Sequence, residues 1–266
     1  MRMKRQAGVE YIRGLIRNGY YTFARDSAAK ELKRQGASLS NILMRLEKAG
    51  WIMPIGRGFY AVIDPANQGY GFAPPQWFLD DWAKKRGVQY YLGGISAAEI
   101  HGAAHQRPQA YQVVVDRALR PFEYHGLRIA YFRKKFIADG MWLQQNTPAG
   151  YLRVSKPEVT AYDLLFLPRA CRSLNRVATI LVELGEVMKG HALAALCKTD
   201  FETVPLQRLG WLLDHTGWEK LTGKLHQALQ ARNPAWRLLA PSLPWQGRRN
   251  NRWRIIENSA IEPDII

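Results

Sequence analysis

The chain has 266 residues, 47% hydrophobic and 23% charged, an ordinary globular composition with length for one large domain or two modest ones. Its 38 basic against 22 acidic side chains give a net charge of +16, spread as +7 over residues 1–70, +5 over 71–160 and +4 over 161–266, a field that attracts polyanions. No stretch approaches the roughly 18 uninterrupted apolar residues of a membrane span, and Cys171 and Cys197 form no C-x-x-C pair, which weighs against membrane-spanning helices, zinc ribbons and dithiol redox motifs.

Val9, Ile12, Leu15 and Ile16 recur at helical spacing, so residues 8–18 read as a helix ended by Asn18-Gly19. The basic start of the chain lacks the apolar run of a signal peptide, and a cytoplasmic protein with reduced thiols is expected. Tyr20 to Phe23 form a short β-prone run. A second helix is expected from a cap at Asp26 or Ser27 to Gln35-Gly36, and a third from a cap at Ser38 or Ser40 to Gly50. In the third, Ile42, Leu43, Leu46 and Ala49 face inward, and Asn41, Arg45 and Lys48 face out. A hairpin follows, Trp51-Ile52-Met53 against Phe59 to Ile63, with Gly56 and Gly58 available for positive φ and Arg57 at its tip. Helices followed by such a hairpin describe a winged helix-turn-helix, whose ligand is duplex DNA.

Residues 64–75 mix proline and glycine without periodicity and read as a linker. Beyond it, 77–86 and 95–104 read as helices, 111–115 as a strand, 122–132 as a hairpin and 151–154 as another strand. Pro157 and Glu158 mark a helix start, and helical patterns run from 159 to 190 and from about 205 to 231. The expected fold class is therefore α+β: an N-terminal winged helix-turn-helix (1–68), a linker (69–76), a mixed α/β and helical C-terminal domain (77–232) and a basic tail (233–266). The tail holds four prolines, three tryptophans and the run Arg248-Arg249-Asn250-Asn251-Arg252-Trp253-Arg254. It reads as a surface extension, or as an arm for base stacking, phosphate contact or a protein interface.

Catalytic and metal motifs are incomplete. His101 and His105 stand four apart but have no partnering acid, and Pro108 ends the segment. Gly93-Gly94-Ile95-Ser96 followed by Val113-Val114-Val115-Asp116 has the outline of a nucleotidyltransferase opening with only one of its two metal-binding acids. Asp116 and Glu123 lack a nuclease-like acid-x-Lys continuation, Asp80-Asp81 reads as a solvated helix face, Glu158 as a helix-terminus charge and Asp163 as a packing polar group. No nucleophile elbow, phosphate-binding loop or dinucleotide fingerprint occurs. The expectation is a non-enzyme with no metal and no cofactor.

The phrases RLEKAGWIMPIGRGFYAV, YYLGGISAAEIHGA, VVVD and SKPEVTAYDLL, in that order, resemble the AbiE-type (AbiEi-like) antitoxins of bacterial abortive-infection systems, a type IV toxin–antitoxin class. The similarity runs over roughly residues 8–190. The resemblance implies a winged helix that represses its own operon at promoter repeats. It also implies a second domain that counters a nucleotidyltransferase-like toxin, without requiring a stable complex.

From the residue types, Ser40, Asn41 and Arg45 are the expected base or phosphate contacts, and Arg57 a minor-groove or phosphate contact. Lys30, Lys33, Arg34 and Lys48 would add attraction independent of sequence. The antitoxin surface is expected at Arg133, Lys134, Lys135 and Lys156. Two other classes stay open: a regulator whose C-terminal domain senses a small ligand, and a nucleic-acid enzyme that docks through its winged helix.

Overall fold

The computed structural model describes residues 2–104, 108–167, 171 and 173–263. Helix α1 (Arg2–Arg17) lays Ile12, fully buried, against the later helices, and Gly8 lets it approach Ile42 and Leu46 closely. Strand β1 (Thr22–Ala24) leads directly into α2 (Arg25–Leu32), and α3 (Gly36–Lys48) follows after a short turn. Neither α2 nor α3 is capped by a side chain: the residues before them are Ala24 and Gln35. The expected serine and aspartate caps are thus corrected. Asp26 lies in the first turn of α2, and Ser40 lies inside α3, bonding back to the Gly36 carbonyl.

Strands β2 (Ile52–Gly56) and β3 (Phe59–Val62) form the hairpin, and a three-stranded antiparallel sheet has the order β1-β3-β2. Only Gly58 adopts positive φ at the turn (63°); Gly56 ends β2 beside a bulge. The strand alternation serves two cores. Phe23, Ile52 and Val62 join Ile12, Ala28, Leu39, Leu43 and Leu46 on one side. Met53, Ile55, Ala61 and Ile63 turn to the other side and pack with Phe78, Leu79 and Trp82 from beyond the proline-glycine segment.

That segment is ordered. Asp64 accepts the Ala66 amide to start a 3-10 turn over Pro65–Tyr70, and a second turn covers Pro75–Trp77. Next come α4 (Leu79–Arg86), β4 (Tyr90–Leu92), α5 (Gly94–Ile100), β5 (Tyr111–Val115), β6 (Phe122–Tyr124), β7 (Leu127–Arg133), β8 (Trp142–Thr147) and β9 (Gly150–Ser155). Their mixed sheet has the order β6-β7-β5-β4-β9-β8, with β4 parallel to β9 and antiparallel to β5. Tyr90, Leu92, Val113 and Val115 face the core shared with the N-terminal sheet, whereas Tyr91 and Val114 face the helices.

Those helices are α6 (Pro157–Phe166), α7 (Leu174–Leu184), α8 (Gly190–Leu196), α9 (Thr203–His215) and α10 (Glu219–Gln230). The residues after them fold as well, as β10 (Arg237–Leu238), β11 (Arg248–Asn250) and β12 (Ile255–Glu257), a small sheet of order β10-β12-β11. Trp253, fully buried, lies against Gly210 of α9, where a Cβ would come within 2.2 Å of the ring. Its indole donates to Asp214 at 2.7 Å.

Candidate nucleic-acid interface and antitoxin centre

Helix α3 turns Leu39, Leu43 and Leu46 into the core, so the intervening positions must meet solvent. Ser40, Asn41, Met44, Arg45 and Lys48 are exposed there, Met44 at 45%. Arg57 is exposed on the hairpin turn, and Lys30, Lys33 and Arg34 are exposed around the end of α2. None of these seven basic and amide side chains apart from serine (Lys30, Lys33, Arg34, Asn41, Arg45, Lys48, Arg57) makes an ion pair among the described residues.

Ser40 has a task inside the fold. Its Oγ donates to the Gly36 carbonyl at 3.0 Å and accepts from Arg25 Nη2 at 2.7 Å. The Arg25 amide in turn donates to the Gly58 carbonyl at 2.7 Å. Arg25 therefore ties the hairpin turn to the first turn of α3, a role that its place in the sequence gave no sign of. The Glu47 carboxylate of α3 lies close enough to Tyr124 to act on it: burial first, and the Glu47 charge second, push the Tyr124 pKa above its ordinary value.

The expected antitoxin surface divides. Arg133 and Lys135 are exposed and Lys156 half-buried, but Lys134 is 8% exposed and is not a surface residue. The reason is strand alternation: the Lys134 amide continues the ladder onto Val115 at 2.9 Å, and its side chain enters the helical core while its neighbours point out. Its Nζ lies 3.2 Å from Asp163 Oδ1 and 3.1 Å from the Tyr91 hydroxyl, which itself donates to Asp163 Oδ2 at 2.8 Å. The Phe201 ring centre is 4.2 Å from the ammonium and that of Tyr162 5.1 Å. Asp163 is fully buried, and burial raises its pKa above the usual carboxylate value against the pull of Lys134 and Tyr91.

Two of the quoted phrases close around this centre. Gly93 approaches so tightly that a Cβ would meet Val114 at 2.8 Å and Asp163 Oδ2 at 3.2 Å. Ser96 Oγ accepts the Gln112 amide at 2.9 Å, and Gln112 Oε1 accepts the Ile95 amide at 2.7 Å, locking α5 onto β5. Glu158 does not stay in solvent at its helix terminus: it is buried and accepts the Lys189 amide, just before α8, at 2.7 Å. His101 Nε2 sits 2.7 Å from the Ser155 carbonyl, so that nitrogen is engaged; His105 lies outside the described residues. Asp116 is paired with Arg117 at 2.8 Å, whose hydrogen bond holds its carboxyl below the ordinary value. Among the described residues no three His, Cys, Asp or Glu side chains gather as metal ligands, and no helix is long and apolar enough to cross a membrane.

Residues 91–215 match the family model described as the AbiEi antitoxin C-terminal domain. The chain carries an AbiE-type antitoxin domain. The matched region takes in Tyr91, Gly93, Lys134 and Asp163, so the buried centre lies within it. Such a domain implies a cognate toxin as its counterpart. The fold is similar to that of the RV2827C protein from Mycobacterium tuberculosis, at 17% identity and a TM-score of 0.68, covering 94% of the antitoxin and 91% of that chain. No curated protein matches.

Proposed function

We propose that the antitoxin is also a DNA-binding autorepressor, with residues 1–63 acting as a winged helix-turn-helix on repeats in its own promoter. The observation that carries this reading is the unpaired set Asn41, Arg45, Lys48 and Arg57, presented on one helix and the turn of the hairpin behind it. Asparagine reads adenine and arginine reads guanine through paired hydrogen bonds in the major groove, and α3 is the element placed to enter it. Arg57 would take a phosphate or minor-groove contact. Lys30, Lys33 and Arg34 would add attraction that is blind to sequence. Ser40 enters this reading as the anchor of Arg25, with one acceptor position left for DNA.

In the same reading the counterpart is a nucleotidyltransferase-like toxin in the cytoplasm, and the antitoxin domain counters it without a catalytic step or cofactor. Arg133, Lys135 and Lys156 remain its candidate surface; Lys134 supports them from beneath.

Gel-shift titration of the upstream DNA against unrelated competitor tests the repressor half. Arg45→Ala should weaken the operator complex by about 1–3 kcal/mol and narrow the gap to competitor, whereas Lys33→Ala should weaken both alike. Equal losses on both DNAs for Arg45→Ala would remove the base-reading role.

A second reading, small-ligand sensing, has one observation in its favour. A cleft of about 720 Å³ opens between the ordered 64–77 segment and the main sheet, lined by Tyr70, Phe72, Trp77, Tyr111, Gln145 and Asn146 among others. Release of operator DNA by a low-molecular-weight cell extract, lost in Trp77→Ala, would favour it.

A further inference from the structure

The sheet β10-β12-β11 lies beyond the antitoxin match and plays no part in the reading above. Its surface is built from cations and indole rings. Arg237, Arg248 and Arg249 are exposed, and the Arg249 guanidinium lies 5.5 Å from the Trp236 ring centre. Arg208 reaches the same edge, donating to the Leu238 carbonyl at 3.0 Å. Among the described residues none of these four arginines forms an ion pair. Two of them crowd each other: burial first, and the Arg237 charge second, lower the Arg208 pKa.

The nearby acids do not neutralise the patch. Glu257 accepts from the Trp211 indole and Asn250, and Asp214 holds Trp253, Thr222 and Arg252. Trp245 is 62% exposed on the connection between β10 and β11, and that connection is fixed. Asn258 accepts the Ala240 amide at 2.9 Å and donates to the carbonyls of Ala240 and Pro244 at 2.9 and 3.1 Å. A large indole is thus held in water on a clamped turn of the same small sheet, whose exposed arginines form no ion pair among the described residues.

We propose that this sheet binds a single-stranded nucleic acid, with Trp245 and the Trp236–Arg249 pair stacking unpaired bases, and Arg237 and Arg248, which the strand register places on the opposite face at the two sheet edges, contacting phosphates where the nucleic acid crosses those edges. Exposed indole faces suit bases that are free to unstack, and the arginine charges suit the backbone. A duplex offers the same phosphates but keeps its base faces inside. The chemistry fits RNA and DNA strands equally, and both are probes.

The test uses the full chain and fluorescence anisotropy with labelled RNA and DNA strands of about 12 nucleotides, within the site size of one such module, and with the matching duplex. Arg45→Ala/Arg57→Ala, altered only in the proposed operator face, should keep its single-strand affinity. Trp245→Ala should lose about tenfold, and Trp245→Phe, which keeps a ring, should recover most of it. Arg237→Ala/Arg248→Ala should reduce the slope of log affinity against log salt by about 1.4, as expected for two phosphates on a single strand. Unchanged operator binding in the tail variants verifies that they fold. Equal affinity for strand and duplex, or no effect of Trp245→Ala, would overturn the proposal. So would capture of an acidic protein on this face with no binding of either strand. A difference between RNA and DNA would identify the source of the strand.

Discussion

Lys134 carries its ammonium out of water into contact with Asp163, Tyr91 and two aromatic rings, and the partners left behind by its removal are not equivalent to it. A buried carboxyl left without its cation can neutralise itself by taking up a proton. In Lys134→Met the fully buried Asp163 would keep only the Tyr91 hydroxyl as partner, and burial, which already raises its pKa, would raise it further. A folded-state pKa above the unfolded value of about 3.9 contributes stability that is fully present below that value and is lost as pH rises through the folded one. The variant should therefore be nearly as stable as the parent in mild acid and should fall behind it by about 3–5 kcal/mol at alkaline pH. Urea unfolding of parent and variant at several pH values between these limits gives the difference directly. A deficit that does not change with pH would assign Lys134 to packing alone. Gly93 belongs to the same centre: its backbone lies where only a hydrogen fits between Val114 and the Asp163 carboxylate.

At the scale of elements, the helices of residues 8–50 and the hairpin after them were legible because their apolar spacing is regular and glycines mark the ends. What was not legible is how their ends are held. Arg25 precedes the residues that look like caps, and its bonds to Ser40 and Gly58 cross between elements, which no local spacing shows. Strand β4 is three residues long and buried on both faces, so it offers no alternation, and β8 is an edge strand whose middle is exposed, so it offers no apolar pattern. The last small sheet was hidden by its prolines and arginines, since the buried Trp253 among them looks like any surface tryptophan in sequence. Of the candidate site, the exposed residues of α3 followed from helical spacing, whereas Lys134 looked like one of three adjacent surface cations until the strand register sent it inward. The Arg25 linkage makes its own prediction. Arg25→Ala should weaken operator binding about five- to tenfold through loss of charge-assisted hydrogen bonds. Arg25→Lys should not restore it, because the lysine ammonium ends one bond short of the Nη2 position that donates to both Ser40 and Gly36. Recovery with lysine would instead make Arg25 a phosphate contact.

At the scale of the molecule, the N-terminal sheet has no free face. Its β2 and β3 side chains alternate between the three-helix core and the core shared with Phe78, Leu79 and Trp82. Thr22 adds a 2.6 Å bond to Asp81 across the same boundary, and Tyr21 packs on Trp77. The proline-glycine stretch at 64–75 looks like a place to divide the chain, but the apolar continuity passes beneath it. A unit cut after residue 63 would uncover Met53, Ile55, Ala61 and Ile63 together, an apolar patch of the kind that drives association. The intact chain should accordingly melt in one calorimetric transition whose van't Hoff and calorimetric enthalpies agree. Ile55→Ala, made on the shared side of the sheet, should cost about 2–5 kcal/mol and lower the whole transition. Two resolved transitions, with the substitution moving only the earlier one, would show that the proposed DNA-binding face and the antitoxin domain melt independently. A single shifted transition would mean that the two ends share one core, so that damage at either face of the sheet is felt at both.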